Sequence, residues 1–466
     1  MFKTTSAVLL GLAGTASAFW RMECPGRLGV ARIDPIVNSG EVSAHAHSLH
    51  GSSGISTSSD GAALKAGKCT SCRVTQDKSA YWSPSMYFRD ASTGQFELVD
   101  QVGGMLAYYL LYGDNIKAFP DNFRMIAGNN NRRSYTAGDP SQPDPEKSEW
   151  QSLGQTGQSV LEQRALGFNC LNYNKQPEGT LFRHYLPDKS YLDANCADGI
   201  RLEIMFPSCW DGRNSDSPDH QSHMAYPNLV MTGDCPPGYQ TRVPSLMYET
   251  IWNTNAFKGR NGHFYISNGD NEGYAYHADF MTGWDRNFLQ QAVETCTNPS
   301  GRIEDCPLFN VVDQATATSC RLDNPLPNSL LGEIENILGP MASLPGNVAI
   351  FGDDALPTLR EAPPPTRPRL FLARSSRQWA LIPLPLLLPL SPLRPVAAAA
   401  AVTDAPTNTA QPSYYSTQFI TNGNTVSEIL WEELIVTVTE TVDSPAETAS
   451  YAKKRRSHIH GHARRS

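Results

Sequence analysis

Five of the eleven histidines in this 466-residue chain fall in three short stretches. Histidine is the commonest metal ligand and the usual proton carrier near neutral pH. His45-Ala46-His47 sets two imidazoles two residues apart, which on a strand turns both to one face. Asp219-His220-Gln221-Ser222-His223 spaces its pair by three, which suits one face of a helical turn or a tight loop. His277 lies in the run YAYHADF.

Two chemistries suit these residues. In the first, three or four imidazoles hold a divalent metal, zinc or copper, with Asp219 or Asp279 as a ligand or orienting a ring. His47, His220 and His277 are the candidate ligands. Against a metal, no motif such as HExxH is present. In the second, no cofactor is needed. Lys78, Tyr81, Trp82 and Tyr87 in DKSAYWSPSMY join a cation to aromatic platforms, and tyrosine with histidine could carry protons in a lyase. Carboxylate pairs for glycoside hydrolysis are available among Asp211, Asp216, Asp219, Asp279 and Asp285. The candidate catalytic set is therefore His45, His47, Lys78, Tyr81, Asp219, His220, His223 and His277. Each histidine taken alone is more often a hydrogen-bonded structural residue, and each aromatic of DKSAYW more often core. The clustering shifts the balance: HAH and DHQSH on neighbouring elements would favour a site, and wide separation would count against the metal.

The elements that must position these residues read as β. Gly, Pro, Asn and Asp punctuate the chain about every ten residues. Between them lie short β-rich runs at Ser83–Phe88, Phe96–Val102, Gly199–Phe206, Leu229–Thr232 and His263–Ser267. Helical periodicity is confined to Val160–Leu166 and Asn287–Thr295. The expected fold is mostly β: one large disulfide-containing sandwich or jelly roll with long loops over residues 19–338.

Residues 1–18 carry a basic start, the apolar run AVLLGLAG and the small-x-small Ala16-Ser17-Ala18, the pattern of a secretory signal peptide. The run is too short to span a bilayer. The ten cysteines are even in number, as a disulfide-bonded extracellular domain requires. Cys69-Thr70-Ser71-Cys72 has no second CxxC to complete a zinc site, so its cysteines form one tight bridge or take separate partners. Net charge is −8 with no basic belt in the body, which argues against nucleic acid. No P-loop, dinucleotide fingerprint or GxSxG elbow is present.

Near Gly339 the composition changes. Residues 339–412 are Pro- and Ala-rich, and WALIPLPLLLPLSPL is broken by prolines that exclude a regular transmembrane helix. The segment reads as a low-complexity linker or as a retained intron. Residues 413–466 are Ser/Thr-rich and end in a basic tail with His458, His460 and His462, expected to be disordered. Nothing in the sequence fixes an oligomeric state.

Four stretches resemble the fungal secreted domain of unknown function 1996: FWRMECPGRLGVARIDPIVNSGEVSAHAHSLHG, CTSCRVTQDKSAYWSPSMYF, CWDGRNSDSPDHQSHMAYP and FYISNGDNEGYAYHADFMTGWD. The resemblance implies a secreted or wall-associated domain and no particular reaction. The functional expectation is a carbohydrate- or cell-wall-directed protein whose His/Tyr/Lys site works as a lyase or hydrolase. The alternative is a non-catalytic polysaccharide-binding or structural surface protein.

Overall fold

The computed structural model describes residues 18–322 and 337–351, and the backbone of two further strands at 414–422 and 425–432. The expected signal peptide up to residue 17, the Pro/Leu segment and the basic histidine tail lie outside the described residues.

In chain order the strands are β1 (Ala18–Cys24), β2 (Gly29–Ala31), β3 (His47–Gly51), β4 (Ala80–Pro84), β5 (Met86–Asp90) and β6 (Phe96–Leu98). Next come β7 (Gln101–Leu111), β8 (Arg124–Gly128), β9 (Leu166–Cys170), β10 (Ile200–Met205) and β11 (Cys209–Trp210). The last of the body are β12 (Met224–Ala225), β13 (Thr241–Arg242), β14 (Ser245–Trp252), β15 (Gly262–Ile266) and β16 (His277–Met281). They form one five-stranded sheet in the order β1-β7-β14-β10-β9 and another in the order β2-β3-β4-β16-β8. Two three-stranded sheets, β12-β11-β13 and β15-β5-β6, extend them.

The main core lies between the two large sheets. The Tyr248 hydroxyl donates to the Asp279 carbonyl at 3.1 Å, and its ring meets Tyr81 edge-on at 5.6 Å. Trp20, Met105, Tyr109, Phe168 and Phe280 fill this layer. The second large sheet has a covered outer face too. Leu49, Trp82 and Met281 pack there against Leu28, Ile33, Ile36, Ile55 and Leu64 from the loops around β2 and β3. A sheet buried on both faces explains why β3, β4 and β16 contain no exposed residue.

The mostly-β expectation holds, with local differences. The run Leu229–Thr232 is no strand: Val230 takes a φ of +67°, and the ends close on each other in a tight turn. The helix at Gln158–Arg164 stops before Leu166, which opens β9. The folded body also extends past the expected boundary at residue 338. Phe96 and Met341 bridge, and Leu344 is buried against Tyr87, Phe96 and Tyr265. Apolar residues spaced along a proline-rich stretch were enough to hold it on the body. Strands β17 (Tyr414–Asn422) and β18 (Thr425–Glu432) form a separate antiparallel hairpin.

All ten cysteines pair: Cys24–Cys72, Cys69–Cys320, Cys170–Cys196, Cys209–Cys235 and Cys296–Cys306. The CxxC cysteines thus take separate partners. Cys69–Cys320 ties the loop before β4 to the residue that follows the short helix Gln314–Ser319, over a sequence separation of 251. No helix among the described residues is long and apolar enough to cross a membrane.

Candidate metal centre

His47 opens β3 and stands opposite Pro84 of β4. Continuing the β4–β16 register, in which Asp279 faces Trp82, brings His277 level with Pro84 from the other side. The two histidines therefore flank one proline on the outer face of the sheet. His45, two residues earlier in the bend that leads into β3, turns its ring to the same point. One nitrogen from each of His45, His47 and His277 lies within 4.8 Å of the others. The Nε2 atoms of His45 and His277 are 3.1 Å apart, and the His45 and His47 rings are 4.4 Å apart centre to centre.

This spacing suits one ion. Two nitrogens at zinc–imidazole bond lengths on a tetrahedral centre stand about 3.4 Å apart. His277 Nδ1 donates to the Ala275 carbonyl at 3.0 Å, which leaves its Nε2 lone pair facing the cluster. A single His45–His277 hydrogen bond would also account for the 3.1 Å contact. It would leave the fully buried His47 ring without a well-formed hydrogen bond, its polar neighbour outside the cluster being the Ile33 backbone. Unpartnered buried polar atoms cost about 1–3 kcal/mol each, and a bound ion would satisfy His47.

More orphaned atoms share this face. Asp279 is 1 % exposed, and neither carboxylate oxygen has a partner among the described residues. Cross-strand from it, Trp82 Nε1 is likewise unpartnered. Burial raises the Asp279 carboxyl well above its ordinary value, and the neighbouring Asp34 adds to the effect. Burial drives all three histidines the other way, helped at His45 and His47 by the neighbouring imidazoles; His277 falls to about 4. The rings are therefore neutral at neutral pH, the form that binds metal. His45 and His277 keep 6 % and 5 % exposure while His47 keeps none, so His47 forms the floor of the cluster.

The other site candidates lie elsewhere or are engaged. His220 and His223 do not join the cluster; His45 stands where His220 was expected as the third ligand. The His220 ring bonds Asp216 at 2.7 Å through Nδ1. His223 spans Ser217 Oγ and the Arg124 carbonyl, each at 2.9 Å. Asp219 accepts from Ser217 Oγ and from the amides of Gln221 and Ser222, and these bonds hold its carboxyl far below the usual range despite partial burial. DHQSH is thus a clasp: the Arg124 and Ile126 amides donate to the Ser215 and His220 carbonyls, covering the free edge of β8.

Lys78 donates to the Gly67 carbonyl at 3.1 Å. Tyr81 points into the main core, bonded to Asp77 and, at 2.6 Å, to Tyr109. Tyr81, Trp82 and Tyr87 are completely buried, so none offers a face to a sugar. Of the five aspartates weighed for glycoside hydrolysis, Asp211 and Asp219 tie turns, Asp216 holds His220, and Asp285 caps the helix Arg286–Thr295. Only Asp279 is unspent.

Sequence reasoning passed over His50. It follows His47 by three on the same strand, so it faces the main core, fully buried, and its pKa is lowered by burial to about 3. The signal was present in HAHSLH: an odd spacing on a strand changes faces.

The fold and site define a disulfide-bonded two-sheet β domain with a buried three-histidine cluster on the covered face of one sheet. The sequence pattern of the domain of unknown function DUF1996 matches residues 34–284, and the chain belongs to this family. The match takes in all three cluster histidines. No curated protein and no solved structure matches the chain.

Proposed function

We propose that this is an extracellular metalloprotein in which His45, His47 and His277 hold one zinc or copper ion, and that the ion serves chemistry on a polysaccharide or cell-wall polymer. The observation that carries the metal is the convergence of three buried imidazoles, one nitrogen of each lying within 4.8 Å of the others. Three imidazoles leave a fourth position for water or substrate, and a zinc-bound water there ionises near pH 7. Asp279 lies on the same sheet face and is the acid available to such a water. Five disulfides favour an oxidising compartment.

The test uses full-length, tag-free protein with His458, His460 and His462 replaced, so that the tail contributes no metal. Elemental analysis should find zinc or copper near one per chain, lost in His45→Ala/His277→Ala. Folded protein that contains neither metal and takes up neither would overturn the reading. The polymer half is tested by incubating metal-loaded protein with chitin, glucan and uronate-containing polysaccharides. New reducing ends or an unsaturated product support catalysis. Retention on the polymer without product supports the binding protein instead.

A further inference from the structure

We propose that the disulfide-closed loop Cys170–Cys196 is a carbohydrate-binding platform, in which Phe182, Tyr185 and Tyr191 stack on the pyranose rings of a polysaccharide chain. The inference rests on the polysaccharide half of the proposed function and is independent of the metal.

Three of the large apolar or aromatic side chains that stand out in solvent are aromatic: Tyr173 at 73 %, Phe182 at 52 % and Tyr191 at 37 %. All three fall within this one loop, whose ends the disulfide joins. The aromatics expected to meet sugar, Tyr81, Trp82 and Tyr87, are at 0 %. Exposure of this kind is costly in water and marks a binding surface when it is clustered.

The rings are also held in place. The Arg183 guanidinium lies 5.3 Å from the Phe182 ring centre, 6.0 Å from Tyr185 and 5.0 Å from Tyr191. Arg183 is itself fixed by Glu178 at 2.8 and 3.0 Å, by the Phe168 carbonyl at 2.8 Å and by the Tyr191 hydroxyl at 3.0 Å. One anchored cation therefore orders three rings before any ligand arrives, which reduces the ordering cost of binding.

Two clefts flank the loop. A cleft of about 290 Å³ lies beside Phe182 and is lined by Asp144, Glu146, Lys147, Thr180 and His184. A cleft of about 340 Å³ lies beside Tyr185 and holds Asp188, Lys189, His263, Asn271 and Glu272, with Tyr274 as a second ring. These sizes sit at the lower end of the usual range for ligand sites. Lys, Glu and Asp are depleted at protein–protein interfaces. Aromatic faces bordered by carboxylates, ammonium and amide groups instead match a ligand with apolar C–H faces and a rim of hydroxyls, which is a sugar.

The experiment is a depletion assay of the full-length protein on insoluble chitin and β-1,3-glucan particles, with Phe182→Ala, Phe182→Trp and Tyr173→Ala, each checked for native circular dichroism. Phe182 is exposed, so the alanine variant should fold. Wild type should bind at least one polymer, Phe182→Ala should bind it roughly tenfold or more weakly, as loss of an interface anchor does, and Phe182→Trp should restore binding. Binding should survive His45→Ala/His277→Ala, which separates this result from failure of the metal centre. Wild type that binds neither polymer, or Phe182→Ala that binds as wild type does, overturns the proposal. So does concentration-dependent dimerisation that Phe182→Ala abolishes, which would assign the face to a second copy of the chain.

Discussion

HAH and DHQSH look alike as sequences, and the fold uses them in opposite ways. The first lies on and beside a central strand buried on both faces, where the sheet register, and not local hydrogen bonding, sets where the rings go. The backbone of β3 is satisfied by β2 and β4, so the imidazoles are left to face one another and His277. The second lies in a loop with its own backbone to satisfy. There Asp216, Ser217 and Asp219 sit within hydrogen-bonding reach, and the histidines become struts. His220 even takes a φ of +56° to make the turn. A cluster of histidines with unspent nitrogens is a candidate site; a cluster whose nitrogens are spent locally is architecture.

The largest expected effect separates the two regions by metal affinity. His47→Ala or His277→Ala should weaken zinc binding by more than about a hundredfold, beyond what loss of an outer-shell partner does, whereas His220→Ala and His223→Ala should leave it unchanged. Isothermal titration calorimetry on metal-stripped protein reads this. Equal losses in both groups would erase the distinction.

Stability of the metal-free protein should show the reverse ranking. His223→Leu abandons two hydrogen bonds and strands the Arg124 carbonyl, at a cost of about 1–3 kcal/mol. His47→Leu replaces a buried imidazole that makes no well-formed hydrogen bond by an apolar group and should be within about 1 kcal/mol of wild type or more stable. Urea midpoints of the two variants, measured with chelator present, check the ordering.

A backbone change should touch both regions at once. Gly128 on β8 has a φ of +77°, and an added Cβ would meet the Tyr276 carbonyl oxygen at 2.3 Å and His277 Cα at 2.9 Å. Gly128→Ala should cost about 1–3 kcal/mol and also loosen the metal, because β16 must shift next to His277.

The remaining effect concerns acid. The His50 pKa is lowered by burial to about 3, so between about pH 6.5 and 3 the unfolded chain binds more protons than the native one. Stability is then lost as pH falls through that window, at up to about 1.4 kcal/mol per pH unit. Asp77 is raised by burial to about 6, and between pH 6 and 4 its native form holds the extra proton, which offsets part of the loss. His50→Leu should flatten the acid limb of thermal stability and Asp77→Asn should steepen it.

Much of this was legible in the chain. Turn residues at ten-residue intervals gave the β class, the even cysteine count gave full pairing, and HAH marked two rings that do meet, although His45 reaches His47 from a bend and not from the strand. The partner of that pair was harder. Its identity depends on β16 lying beside β4, a contact between residues some 200 positions apart that no local pattern encodes. DHQSH was drawn into the site on composition, because spacing alone does not reveal that Asp216 and Ser217 satisfy its rings. Of the two readings of DKSAYW, sugar platform or core, the fold takes the second: Tyr81 faces the main core and Trp82 the covered outer face. With cover on both sides, alternation no longer separates core from solvent.

The most direct measurement of the central claim is X-ray absorption at the zinc edge of the tail-substituted, full-length protein loaded with one equivalent. Three histidine nitrogens at about 2.0–2.1 Å, with one further O/N ligand, are predicted, and the histidine signature should vanish in His45→Ala/His277→Ala. A shell of oxygens alone, or an unchanged spectrum in that variant, would contradict it.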